Sequence, residues 1–156
     1  MTLKVGDKAP LFQLYSDTKA KISLEDYRGE ALVVLFFPLA FSSVCTEELC
    51  TVRDALADYQ TLNARVVGIS VDSVFTLERF RAAEGLNFPL LSDFNKEVSR
   101  QYGALYDTFV MDMQGVSKRA AFVLDAEGVI RYAEVLDSAG DQPDYSAIRA
   151  TLADLE

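Results

Sequence analysis

A chain of 156 residues with a net charge of −9 has the length of one domain, expected to span residues 1–156 and to bury roughly 70% of the surface its unfolded form would expose. Its composition, half hydrophobic and a quarter charged, argues against disorder, and its acidity disfavours nucleic acid and anionic membrane as partners. The absence of histidine excludes Cys-His and Ser-His catalysis, histidine metal ligands and histidine-ligated haem, and two cysteines alone make a poor zinc site.

The start of the chain, Met1-Thr2-Leu3-Lys4-Val5-Gly6-Asp7, lacks an apolar signal core, and no later apolar run approaches a membrane span, so a cytoplasmic location is expected. In that compartment Cys45 and Cys50 are a catalytic pair or two ordinary buried thiols rather than a permanent staple. Residues 1–30 read as an irregular lead-in: Pro10, a strand at 11–15, a polar turn at 16–18, apolar character resuming at Ile22, and a brief helical turn at 23–27 closed by Arg28-Gly29. Residues 31–37 are wholly apolar and form the first buried strand, which Pro38 ends because it has no N–H. Leu49, Val52, Leu56 and Tyr59 then recur at steps of three and four, predicting an amphipathic helix from Cys45 to about Asn63.

With a second apolar strand at 66–71, this makes a right-handed βαβ unit with parallel strands. Asp72-Ser73 caps a helix reaching about Ala83, with Gly85 as its stop. A short apolar segment at 88–91 and a short helix at 95–102 follow, and residues 104–115 read as loop. Residues 118–124 and 129–136 flank a turn and predict an antiparallel hairpin. After a loop at 138–143 comes a last helix with Tyr145, Ile148, Leu152 and Leu155 at helical spacing. The order βαβ, α, ββα predicts an α/β chain.

Cys45 falls in the first turn of its helix, against unpaired backbone N–H groups and the positive end of the dipole, the setting that stabilises a thiolate. It is the candidate nucleophile. Taken one at a time the neighbouring residues have plainer readings: Ser42 a turn or cap residue, with Ser43 at least as good a cap by position, Pro38 a strand terminator, and Arg119 and Arg53 surface cations.

Taken together, Pro38, Ser42 and Cys45 resemble the Pro-x-x-x-(Thr or Ser)-x-x-Cys active-site pattern of the peroxiredoxins, placed as in that family after the first long core strand. Residues 5–12 resemble the family's opening, 86–93 its middle, and 119–125 the strand carrying its active-site arginine, so the resemblance covers nearly the whole chain. Around Cys45 the wording is similar to the alkyl hydroperoxide reductase E branch, while Cys50 is a feature of the peroxiredoxin Q, or bacterioferritin comigratory protein, branch. The resemblance implies a thioredoxin-like fold with an N-terminal extension and a central mixed β-sheet flanked by helices. Glutathione peroxidase, which shares that fold, is set aside because this chain has no tryptophan.

The activity implied is thiol-dependent reduction of hydrogen peroxide and organic hydroperoxides through a Cys45 sulfenic acid, with no metal, flavin or haem cofactor. By the same resemblance Arg119 is the cation at the sulfur, Ser42 hydrogen-bonds the peroxide, Pro38 shields the pocket, and Glu48 orients an arginine. Serine stands where the family most often has threonine, keeping the hydroxyl without the methyl. Leu39, Phe41 and Val44 supply an apolar rim, and the Leu39-Phe41 loop a contact for a homodimer. Cys50 is expected to resolve the sulfenic acid as an intramolecular disulfide, with thioredoxin, glutaredoxin or a low-molecular-weight thiol as reductant. On an ideal helix the two Cα atoms lie roughly 8.6 Å apart, beyond the ~7 Å a disulfide spans, so the first turns must unwind. The alternatives are a structural Cys50 with an external thiol resolving Cys45, and a non-enzymatic redox sensor or holdase chaperone on the same fold.

Overall fold

The computed structural model describes residues 3–155, so Met1 and Thr2 of the lead-in lie outside the described residues. The chain runs β1 (Gln13–Ser16), β2 (Lys21–Ser23), a 3-10 turn (Leu24–Tyr27), β3 (Ala31–Phe36), α1 (Ser43–Asp54), α2 (Leu56–Thr61), β4 (Ala64–Ser70) and α3 (Val74–Glu84). It continues with β5 (Leu90–Ser92), α4 (Glu97–Gln101), β6 (Leu105–Thr108), a 3-10 turn (Val110–Asp112), β7 (Gln114–Ser117), β8 (Arg119–Leu124), β9 (Ile130–Leu136) and α5 (Tyr145–Asp154).

Seven strands form one sheet in the order β2-β1-β5-β4-β3-β8-β9. β3 pairs in parallel with β4, and β4 with β5, whereas β8 is antiparallel to both β3 and β9. This is the expected mixed, thioredoxin-like sheet, extended at one edge by the N-terminal β1–β2 hairpin. The apolar run in β3 lacks alternation because both faces are covered. Val33, Leu35 and Phe37 pack with Leu49, Val52, Phe80 and Ile148 on one side. Leu32, Val34 and Phe36 pack with Phe12, Tyr102, Phe122 and Ile130 on the other. The site grows from the first of these faces, where α1 lies.

Several sequence expectations need correction. The single helix from Cys45 to about Asn63 is two helices, beginning at Ser43 and broken at Ala55 (φ −104°, ψ 7°). Neither Gly nor Pro marks the break. The Thr51 hydroxyl donates to the Glu47 carbonyl at 2.8 Å, a back-bond that tends to bend helices, and the Ala55 N–H is shared between the Thr51 and Val52 carbonyls. Residues 104–115 are not loop but most of a second, two-stranded sheet, β6 with β7. Its strands bury little beyond Val116 and Ser117, and its tip turns through left-handed Met111 and Asp112, so no apolar period announces it. The strand predicted at 11–15 lies at Gln13–Ser16 and pairs with β2, which is too short to show a pattern. The apolar segment at 88–91 becomes Leu90–Ser92, and the helix at 95–102 contracts to Glu97–Gln101. The α3 boundaries follow their signals: Ser73 accepts from the Thr76 N–H, and Gly85 ends the helix in the left-handed region at φ 61°.

Candidate active site

Pro38 ends the ladder of β3, and the chain turns sharply into α1. Phe41 takes a left-handed φ of 69°, a strained conformation for an aromatic residue. The loop is held in it by the Ala40 N–H, which donates to Asp72 Oδ2 at 2.8 Å, and by the Phe41 ring, which meets Phe80 edge to face at 5.0 Å. Ser42, rather than Ser43, is the N-cap residue, but its hydroxyl caps nothing: it donates to the Leu39 carbonyl at 2.7 Å. The first intrahelical bond runs from the Thr46 N–H to the Ser42 carbonyl at 2.9 Å. The N–H groups of Ser43, Val44 and Cys45 therefore precede the helical ladder and add to the positive potential there.

Cys45 and Glu48, three residues apart and so on one face of α1, both point into the protein and are fully buried. Arg119, the first residue of β8, meets them there with 1% of its surface exposed, so the plain reading of a surface arginine fails. One guanidinium nitrogen, Nη2, donates to Cys45 Sγ at 3.3 Å and to the Ala139 carbonyl at 2.9 Å. The other, Nη1, donates to Glu48 Oε1 at 2.6 Å. Glu48 Oε2 and Arg119 Nε have no hydrogen-bond partner among the described residues. A cavity of about 120 Å³ opens over the group, lined by Pro38, Leu39, Ser42, Val44, Phe109 and Arg119 among others. Larger clefts among the described residues, beside Tyr27, Phe94, Arg65 and Tyr106, are lined by no cysteine.

Burial opposes a charge on Arg119, but Glu48 and Cys45 beside it hold its pKa above the ordinary value, so it remains a cation. Burial dominates at Glu48, pushing its carboxyl from 4.5 up to about 7 against the pull of Arg119. Desolvation prevails because only one carboxylate oxygen is paired and the guanidinium is shared with two other acceptors. An acid with a raised folded pKa binds its proton more tightly folded than unfolded. Glu48 therefore contributes stability that is fully present below about pH 4.5 and is lost as pH rises through about 7. Urea unfolding as a function of pH should show this decline, and Glu48→Gln should flatten it; an unchanged slope in that variant would remove Glu48 as its source.

The structure thus brings together Pro38, Ser42, Cys45, Glu48 and Arg119. It sets two other residues apart. Cys50 is half-buried and faces α3, where its thiol donates to Glu84 Oε1 at 3.6 Å, and both cysteines are free. Arg53 is bound to the Asp54 carboxylate and the Glu84 carbonyl. Sequence reasoning missed Phe109 and Ala139. Phe109 lies in the unrecognised β6–β7 connection, stacked on Tyr106 at 5.0 Å, and Ala139 contributes only a carbonyl, which has no side-chain signature.

Residues 5–133 match the AhpC/TSA family. A Mycobacterium tuberculosis (strain H37Rv) protein bearing a peroxiredoxin name is 43% identical over 134 residues, 85% of each chain. Among solved structures, peroxidoxin BcpB of Mycobacterium tuberculosis is similar at a TM-score of 0.88 and 27% identity, covering 99% of both chains. Peroxiredoxin Q of Xanthomonas campestris is similar at a TM-score of 0.79 and 26% identity, over 92% of this chain and 90% of its own.

Proposed function

This chain belongs to the AhpC/TSA family of thiol-dependent peroxide reductases, and from that premise we propose that Cys45 is the thiolate that attacks peroxide, served by Ser42, Arg119, Pro38 and Glu48. The observation that carries the reading is the 3.3 Å contact between Arg119 Nη2 and Cys45 Sγ, both buried at the start of α1. In the reaction the sulfur bonds to the hydroxyl oxygen of the hydroperoxide and the O–O bond breaks. That oxygen keeps its hydrogen, giving Cys45 sulfenic acid, and the departing oxygen takes a proton from water to leave as an alcohol or as water.

Arg119 and the Cys45 N–H stabilise the charge as it moves from sulfur to the leaving oxygen. Because the Ser42 proton is committed to the Leu39 carbonyl, its lone pairs are free to accept the O–H of the peroxide. Glu48 holds the far end of Arg119, and Pro38, Leu39, Val44 and Phe109 offer an apolar wall to the organic part of a hydroperoxide. Cys50 then displaces hydroxide from the sulfenic acid, its own thiol proton leaving with that oxygen as water, to form the Cys45–Cys50 disulfide. Thioredoxin, glutaredoxin or a small thiol restores both thiols, in the cytoplasm. A second copy of the chain packs on the loop of Leu39 and Phe41, the latter 54% exposed beside the site.

Peroxide consumption measured side by side with thioredoxin, glutaredoxin and low-molecular-weight thiols tests this function. Many turnovers per chain are expected with at least one reductant, and thioredoxin-supported turnover should collapse in Cys50→Ser. A single oxidation per chain under every condition would instead describe a sensor.

A further inference from the structure

Among the polar contacts of α1, two sets fasten it to β8 and to the end of α3. The first joins Cys45 and Glu48 to Arg119. The second lies away from the sulfur that meets peroxide: Cys50 Sγ donates to Glu84 Oε1 at 3.6 Å, Arg53 Nη1 donates to the Glu84 carbonyl, and Asn87 Nδ2 donates to the Arg53 carbonyl at 3.2 Å. The last residue of α3 and the turn behind it thus grip α1 at residues 50 and 53.

We propose that Glu84 is a positioning residue that restrains resolution, holding Cys50 against α3 as a neutral thiol and so lengthening the life of the Cys45 sulfenic acid. The proposal rests on the reading of Cys50 as the resolving cysteine. Two independent effects act in the same direction. The first is geometric: Cys45 and Cys50 stand five residues apart on α1, which on an ideal helix is roughly 8.6 Å between Cα atoms, so Cys50 must leave Glu84 as the helix unwinds before a disulfide can close. Oxidation changes the first fastening directly, because it modifies the sulfur that Arg119 holds, but it leaves the second untouched. The second effect is electrostatic. Burial pushes the Cys50 thiol up, Arg53 opposes this, and the hydrogen bond and charge of Glu84 together with Asp54 add to it. A thiol attacks sulfur as thiolate, so a carboxylate that keeps Cys50 protonated slows the attack.

The step restrained is the condensation of Cys50 S–H with Cys45 S–OH, which forms the S–S bond and releases water. While it is delayed, the sulfenic acid is open to a second peroxide, giving sulfinic acid, or to a thiol on another protein.

Quenched-flow mixing with peroxide, followed by mass spectrometry, separates oxidation of Cys45 from formation of the disulfide. Glu84→Ala should oxidise at the wild-type rate and form the disulfide about fivefold faster, the scale of one hydrogen bond. Glu84→Gln, which keeps an acceptor and loses the charge, should show a smaller gain, and both variants should accumulate less sulfinic acid at high peroxide. A change confined to the second step distinguishes this role from a general loosening, which would move both. A disulfide that forms in Glu84→Ala at the wild-type rate or slower would overturn the restraint alone. Absence of any Cys45–Cys50 disulfide in the wild-type protein would overturn the resolving assignment and the restraint with it.

Discussion

Cys45→Ser is expected to consume no peroxide above the uncatalysed background, a loss of at least about 10⁶-fold on the usual scale of enzymatic acceleration. The substitution removes one sulfur and little else. Serine fits the buried site, and its hydroxyl can accept from Arg119 Nη2 as the thiol does, so the fold should persist. What is lost is the nucleophile: the hydroxyl is not appreciably ionised at neutral pH and has no counterpart to the sulfenic acid. Peroxide consumption with excess reductant, alongside a thermal melt to confirm folding, checks this. Retained activity in folded protein would move the nucleophile elsewhere.

Arg119→Ala carries the second largest effect, because one side chain serves both the reaction and the core. Losing a fixed donor at the site of developing charge should slow Cys45 oxidation by about 10² to 10³-fold. Removing one partner of a buried ion pair should also cost about 3 to 5 kcal/mol, since Glu48 would remain buried without its cation. The two losses can be separated. Glu48 then keeps no opposing influence on its carboxyl and takes up a proton, so the stability deficit should shrink as pH falls. Adding Glu48→Gln to Arg119→Ala should restore much of the stability and none of the rate. Stopped-flow oxidation kinetics and urea unfolding of the single and double variants check both halves; a double variant that recovers the rate would show that Arg119 acts only through packing.

The central strands and the placement of Cys45 were legible because they rest on strong local signals. The unbroken apolar run of β3, its stop at Pro38 and the spacing of Leu49, Val52 and Tyr59 set strand, loop and helix before any contact is known. Arg119 was reachable only through the family resemblance, since no pattern around an arginine at the start of a strand says that it is buried on a sulfur 74 positions earlier. The break at Ala55 arises from shared hydrogen bonds, which periodicity does not see. The β6–β7 hairpin, with most of its strand residues partly or fully exposed, gives no apolar alternation, and Phe109 went unseen with it. Glu84 belongs to the same class: its contact with Cys50 joins two helices 34 positions apart and leaves no trace in either helix alone.

In the proposed mechanism one particular sulfur, that of Cys45, is oxidised first. Mixing the reduced protein with less than one equivalent of peroxide in the presence of dimedone, followed by peptide mapping, reads that sulfur directly. The adduct is expected on Cys45, and it should persist there in Cys50→Ser; an adduct that forms first on Cys50 would make Cys50 the peroxide-reactive thiol instead.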